Sequence, residues 1–108
     1  MTTVCSYHQL LPERGVCALV DGVQVAIFRT FDGALHAVGN VDPFTGAAVL
    51  SRGIVGTRNG VATVASPLHK QTFDLETGQC LDAENVSIPV YSVRRVADDV
   101  EVAVRCVA

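Results

Sequence analysis

Basic residues are few and scattered in this sequence, which excludes partners that require a positively charged surface. The chain has eight Lys and Arg residues against eleven Asp and Glu residues, and its net charge is −3. No basic stripe or cluster is present, so we expect neither a nucleic acid nor a membrane as partner. With 18% charged and 49% hydrophobic residues, the chain is not disordered. Its 108 residues predict a single domain over residues 1–108.

Long hydrophobic runs are also missing. The stretch with least charge, residues 32–52, is interrupted by Gly33, Gly39, Pro43 and Gly46, which excludes a transmembrane helix. The first five residues have neither the basic region nor the apolar region of a secretion signal. We therefore expect a cytoplasmic location.

Cysteines at metal-binding spacing are absent. None of the motifs CxxC, CxH and CxxH occurs, and a reducing cytoplasm disfavours disulfides. We expect all four cysteines to be small buried hydrophobic residues; they are Cys5, Cys17, Cys80 and Cys106.

The apolar residues follow the pattern of short strands and not that of helices. Asp21-Gly22 and Asn59-Gly60 predict two-residue hairpin turns, Gly78 suits a left-handed position, and Asp98-Asp99 predicts the last turn. Short helices are expected, if anywhere, at residues 6–11 and 45–51. The fold class predicted is an all-β antiparallel sandwich or barrel. Its strands are expected at residues 16–20, 23–28, 34–38, 54–57, 61–65, 71–74, 79–81, 90–96 and 100–107.

Two loops carry proline and polar residues, and we expect them to hold the functional residues. The first loop is residues 39–46 with its continuation to residue 52, and the second is residues 66–71. The second loop and its continuation, residues 66–81, read S-P-L-H-K-Q-T-F-D-L-E-T-G-Q-C-L. This segment resembles the second cluster-binding loop of Rieske proteins, C-P-x-H-x-x-x-F-D-x-x-T-G. The first Rieske loop has the form C-x-H, and its place is taken here by Asn40-Val41-Asp42. The resemblance implies a Rieske-like fold with a small loop subdomain at about residues 39–82.

The ligands of a Rieske cluster are mostly absent from these loops. Such a cluster needs two thiolates and two imidazoles. Asn40 and Ser66 stand at the thiolate positions, Asp42 at one imidazole position, and only His69 matches. We therefore expect no cluster, no other cofactor and no metal ion in this chain.

Residues 40–56, N-V-D-P-F-T-G-A-A-V-L-S-R-G-I-V-G, narrow the resemblance further. Together with residues 65–71 they look like the small subunits of assimilatory NAD(P)H-dependent nitrite reductases. The resemblance implies a large subunit that carries FAD, a [4Fe–4S] cluster and sirohaem and reduces nitrite to ammonium. This chain would be an accessory subunit without catalytic residues. A Rieske-type ferredoxin and a regulatory interaction module of a dioxygenase remain alternatives.

Several loop residues are candidates for contact with the large subunit. Phe44 either anchors the contact or turns into the core. Arg52 either pairs with Asp42 or Asp74 inside the chain, or binds a carboxylate of the partner. His69 is a leftover cluster ligand, a proton carrier, a partner contact or an exposed imidazole without a role. The full candidate set is Asp42, Pro43, Phe44, Arg52, Pro67, His69 and Lys70.

Overall fold

Short β-branched segments between turns fold into nine strands and two single 3-10 turns within the residues described. The computed structural model describes residues 2–68 and 70–104. The 3-10 turns are Tyr7–Gln9 and Leu50–Arg52. The strands are β1 (Thr2–Ser6), β2 (Arg14–Val20), β3 (Val23–Arg29), β4 (Leu35–Gly39), β5 (Ile54–Arg58), β6 (Val61–Ala65), β7 (Thr72–Asp74), β8 (Val90–Val96) and β9 (Asp99–Ala103).

Two antiparallel sheets are formed. The larger one has six strands in the order β1-β9-β8-β4-β3-β2, and the smaller one has the order β5-β6-β7. Both sheets consist of antiparallel strands, which confirms the all-β prediction. The smaller sheet lies within the predicted subdomain of residues 39–82. Strands β2 and β5 are each at an edge of their sheet.

Two of the predicted hairpin turns are confirmed by their backbone angles. Asp21 and Gly22 have φ values of 49° and 81°, and Asn59 and Gly60 have 54° and 81°, as a type I′ turn requires. The last hairpin differs from the prediction, because Ala97 takes the left-handed position at φ 55° and β9 already begins at Asp99.

Other element predictions need correction. Strand β1 was not expected, because its short sequence has no turn signal before it. Residues 79–81 form only isolated bridges, Phe73 with Cys80 and Gln79 with Ser87. Of the two segments in which a helix was considered, residues 6–11 contain the first 3-10 turn and residues 45–51 overlap only the start of the second. Of the predicted last strand, residues 105–107 lie outside the described residues.

The core has two parts. One joins the sheets and includes Phe28, Leu50 and Phe73, each fully buried. The other lies against the six-stranded sheet, where the Tyr7 ring sits between the guanidinium groups of Arg29 and Arg95, at 4.4 and 3.8 Å from the ring centroid.

The cysteines are less uniform than predicted. Cys80 is buried and Cys5 is half-buried, but Cys17 is exposed on the edge strand β2, so the prediction was wrong for Cys17. Cys106 lies outside the described residues. The helical elements of residues 2–68 and 70–104 are too short to cross a membrane.

Candidate functional site

Two loops leave strands β4 and β6 and are joined at their base. Asp42 belongs to the first loop and Ser66 to the second, and the Ser66 hydroxyl donates a 2.5 Å hydrogen bond to Asp42 Oδ2. The Phe44 ring of the first loop packs 6.3 Å from the ring of Phe73 in β7, at an interplanar angle of 47°. The two loops therefore form one unit on the three-stranded sheet.

Asn40 fastens the start of the first loop. Its Oδ1 accepts a 2.7 Å hydrogen bond from the Ser51 N–H, and its carbonyl oxygen accepts one of 3.0 Å from the Leu50 N–H. Its Nδ2 lies 3.3 Å from Gln24 Oε1 and 3.4 Å from Cys17 Sγ. Because Asn40 is only 2% exposed, it holds the second 3-10 turn against β2 and β3 from inside.

Asp42 closes the first loop on itself. Its Oδ1 accepts a 2.8 Å hydrogen bond from the Phe44 N–H, and its carbonyl oxygen accepts one of 2.7 Å from the Gly46 N–H. The side chain is fully buried. This corrects the expectation that Asp42 contacts a partner, since a residue with no exposed surface can only support the loop from below.

The second loop is a tight turn. The Ser66 N–H donates to the Gln71 carbonyl at 2.9 Å, and the Lys70 N–H donates to the Ser66 carbonyl at 3.0 Å. Lys70 adopts a left-handed conformation with φ 61°. Ser66 is 1% exposed, and its hydroxyl, N–H and carbonyl groups all form hydrogen bonds within the loop base.

Above this base lies a partly apolar surface, which we call the loop tip. Phe44 is 41% exposed and its ring also contacts that of Phe73, so the side chain is turned only partly toward the core. Phe44 and Lys70 line one shallow cavity of about 390 Å³. His69 lies outside the described residues. The loop tip consists of Val41, Pro43, Phe44, Pro67, Leu68 and Lys70, all exposed.

An ion pair lies beside the loop tip. Arg58 Nη1 is 3.3 Å from Asp82 Oδ1, and both residues line the cavity next to Phe44. The Thr72 N–H donates a 2.7 Å hydrogen bond to Asp82 Oδ2. This hydrogen bond is the main cause that lowers the pKa of Asp82, and Arg58 lowers it further.

Arg52 is not where an internal ion pair would place it. The carboxylate of Asp42 is used within the loops, and Asp74 Oδ1 accepts hydrogen bonds from the N–H groups of Glu76 and Thr77. The expectation that Arg52 pairs with Asp42 or Asp74 is therefore wrong. Arg52 instead lines a separate cleft, together with Arg14.

The sequence profile of the Rieske-like [2Fe-2S] domain family matches residues 1–103. The NADH-dependent nitrite reductase small subunit of Salmonella typhimurium is 46% identical over 92 residues, which are 84% of this chain and 85% of the relative. The chain belongs to the nitrite reductase small-subunit family.

Structures of this small-subunit family have the same fold. The crystal structure of a chain assigned as an NADH-dependent nitrite reductase small subunit from Mycobacterium tuberculosis superposes with a TM-score of 0.94. It is 56% identical, and the match covers 99% of this chain and 96% of that chain. A segment of the nitrite reductase [NAD(P)H] large subunit of Klebsiella oxytoca is also similar, with 32% identity over 91 residues. These are 84% of this chain and 9% of that protein.

The residues of this chain do not fit the [2Fe–2S] cluster after which the domain family is named. The resemblance puts Asn40 and Ser66 at the two thiolate positions; the donors and the acceptor of the Asn40 amide are already bonded, and the Ser66 hydroxyl donates to Asp42. Asp42 and Ser66 are hydrogen-bonded to each other, with no space for iron between them. Within residues 2–68 and 70–104, no group of three His, Cys, Asp or Glu side chains could hold a metal ion.

Sequence reasoning found the loops but missed two features of the site. The partners of Asn40 in β2 and β3 carry no motif, and their contact depends on how the strands pair. Arg14 was not singled out, because it is 38 positions before Arg52 in the sequence and only the fold brings the two together.

Proposed function

We propose that this chain is a cluster-free accessory subunit of a cytoplasmic NAD(P)H-dependent nitrite reductase and docks on the large subunit through the loop tip. FAD, a [4Fe–4S] cluster and sirohaem belong to the large subunit, which reduces nitrite to ammonium. The present chain folds as one domain over residues 1–108 and has no catalytic residue. The observation that carries the proposal is the hydrogen bond from Ser66 to Asp42, which joins two positions where the resemblance implies cluster ligands.

The domain composition of a relative supports the partnership. In the large subunit of Klebsiella oxytoca, a segment similar to this chain is about 9% of one polypeptide. A domain that is covalently joined to the large subunit in one protein is a natural noncovalent partner of it in another. When the segment is part of the large subunit, its high effective concentration makes even a weak contact persist. When it is a separate chain, the same contact can form between two subunits.

The loop tip has the properties of a docking surface. Its apolar side chains are exposed, with Leu68 at 48% and Val41 at 45%. Phe44 contacts the Phe73 ring, and this contact reduces the side-chain entropy that is lost when a partner covers the exposed part of Phe44. Aromatic residues packed in this way are typical hot spots of interfaces. Pro43, Pro67 and Lys70 complete the surface, and His69 is proposed with them on the sequence alone.

Binding of the purified small chain to the purified, cofactor-loaded large subunit tests this proposal. The variant Phe44→Ala is expected to bind about tenfold to a hundredfold more weakly, as for a hot-spot residue. The matched control is Phe31→Ala, which removes a phenylalanine that is 76% exposed in a hairpin turn away from the loops. This control is expected to bind like the unchanged chain.

A melting curve of each variant separates docking from folding. Because Phe44 packs on Phe73, Phe44→Ala is expected to lower the melting temperature by a few degrees but to leave the chain folded at the assay temperature. Equal binding by Phe44→Ala and the unchanged chain would contradict docking through the loop tip. A chain that binds no large subunit in any form would contradict the proposed function as a whole.

A further inference from the structure

A second surface, separate from the loop tip, has the opposite charge to the chain as a whole. It is an open cleft of about 550 Å³ between the edge strands β2 and β5, and none of its lining residues belongs to the loop tip. Arg14 and Arg52 line it from two different elements. We call it the arginine cleft. Its lining residues are Glu13, Arg14, Gly15, Ser51, Arg52, Gly53, Ile54 and Val55.

Two glycines give the arginine cleft its shape. A Cβ on Gly15 would lie 2.4 Å from the Ser51 carbonyl oxygen, and a Cβ on Gly53 would lie 2.5 Å from that of Ala65. Only glycine permits this approach of β2 to the second 3-10 turn and of that turn to β6. Since Arg14 precedes Gly15 and Arg52 follows Ser51, the same approach brings both arginines to one cleft.

Neither arginine forms an ion pair with another described residue of this chain. In the part of the chain that the structure describes, the ion pairs are His8–Asp98, Arg58–Asp82 and Arg94–Glu101. Arg14 and Arg52 take part in none of them, and both are exposed. Glu13 is the one acidic residue of the cleft lining, so two positive charges and one negative charge give +1, in a chain of net charge −3.

The walls of the arginine cleft suit an extended peptide. Strands β2 and β5 are sheet edges, and edge strands offer backbone N–H and C=O groups to an incoming strand. Ile54, at 71% exposure, adds an apolar contact at the mouth. Two guanidinium groups favour a carboxylate, which each can bind through two parallel hydrogen bonds.

We propose that the arginine cleft binds an extended segment of the large subunit that carries an acidic side chain between Arg14 and Arg52. This inference rests on the proposed function, because it requires that the large subunit is the partner. It adds a second contact to the loop tip, with different chemistry. Binding through the cleft is electrostatic and sensitive to salt, whereas binding through the loop tip is mainly apolar.

The test measures the affinity of the small chain for the cofactor-loaded large subunit at low and high salt. Arg14→Gln and Arg52→Gln are each expected to weaken binding about tenfold, and the double variant about a hundredfold, with a shallower dependence on salt. Glu13→Gln is expected to strengthen binding a few-fold. Arg94→Gln is the control, since it removes an arginine that does not line the cleft.

Melting temperatures of the two single arginine variants are expected to equal that of the unchanged chain, because neither guanidinium is bonded to a residue within 2–68 or 70–104. A purely structural role would not change the salt dependence of binding. If the double variant binds as tightly as the unchanged chain, with the same salt dependence, while Phe44→Ala binds weakly, the arginine cleft is excluded and the proposed function stands.

Two further measurements distinguish other occupants. Amide resonances of Gly15 and Gly53 are followed by NMR while inorganic phosphate or acetate is added to the isolated chain. Sedimentation of the isolated chain reports self-association. Two results would overturn the proposal if the double arginine variant still binds the large subunit like the unchanged chain. One is tight binding of phosphate or acetate, and the other is self-association that the double variant abolishes. The expected result is weak anion binding, an unchanged monomer and loss of large-subunit affinity.

Discussion

The Ser66 hydroxyl donates a hydrogen bond to Asp42 Oδ2 across the two loops, and both residues are buried, at 1% and 0% exposure. In a Rieske protein iron joins these loops; here a hydrogen bond does so. Removing the donor leaves a buried carboxyl oxygen without this partner. Ser66→Ala is therefore expected to lower the free energy of unfolding by about 1–3 kcal/mol.

Urea denaturation measures this effect. Ser92→Ala is the matched control, since Ser92 is an exposed serine on β8, and it is expected to change the free energy of unfolding by less than about 0.5 kcal/mol. Equal stability of the Ser66 and Ser92 variants would show that the bond between the loops contributes nothing.

Asn40 is expected to be as sensitive as Ser66. Asn40→Ala removes the acceptor of the 2.7 Å hydrogen bond from the Ser51 N–H and leaves this donor at the buried loop base. We expect a loss of about 1–3 kcal/mol in the free energy of unfolding. Asn40→Asp keeps the acceptor but loses both Nδ2 donors and buries a carboxylate, so it is also expected to lower the free energy of unfolding. An Asn40→Ala variant as stable as the unchanged chain would contradict the assigned role.

Two glycines with the same backbone conformation are expected to respond differently to alanine. Gly46 and Gly78 have φ values of 76° and 79°. A Cβ on Gly46 meets nothing within 4 Å, whereas one on Gly78 lies 2.1 Å from the Ile88 carbonyl oxygen. Gly46→Ala is expected to cost about 1–2 kcal/mol, the price of the left-handed conformation alone.

Gly78→Ala is expected to cost about 1–3 kcal/mol more, because the backbone of Ile88 must move. Thermal denaturation of both variants measures the difference. Similar melting temperatures would mean that the contact with Ile88 is not as close as the structure has it.

The pH dependence of stability is expected to include Asp82. Its pKa is lowered in the folded chain, first by the hydrogen bond from the Thr72 N–H and then by Arg58. A lowered folded pKa means that the carboxylate stabilises the fold above its ordinary pKa of about 3.9, and that this stabilisation is lost as the pH falls through the folded value.

Asp82→Asn is therefore expected to melt earlier than the unchanged chain at pH 6 and at nearly the same temperature at the lowest pH at which both fold. Asp21→Asn, in an exposed hairpin turn, controls for the loss of one negative charge. A difference between Asp82→Asn and the unchanged chain that stays constant with pH would contradict the linkage.

Local chemistry explains which parts of the fold the sequence predicts. Asp21-Gly22 and Asn59-Gly60 tolerate positive φ angles, so their hairpins follow from the residues alone. At Ala97 the turn is formed by a residue without that preference, and the prediction missed it by one position. Strand β1 exists because β9 offers it an edge, which is a tertiary property.

The site is predictable only in its outline. The resemblance placed Asn40, Asp42 and Ser66 at former ligand positions, and this shows which ligands are missing. It does not show what the replacements do, since the Asp42–Ser66 bond joins residues that are 24 positions apart. The expectation for Arg52 failed because both carboxylates considered for it bind backbone N–H groups of their own loops.

Iron content tests the central claim most directly, that a hydrogen-bonded loop base has replaced the cluster. The chain is separated from the large subunit of the native complex under anaerobic conditions, and its iron and acid-labile sulfide are measured per polypeptide. The account predicts a colourless chain with only trace iron. Stoichiometric iron and sulfide, with the visible absorption of a Rieske centre, would contradict it.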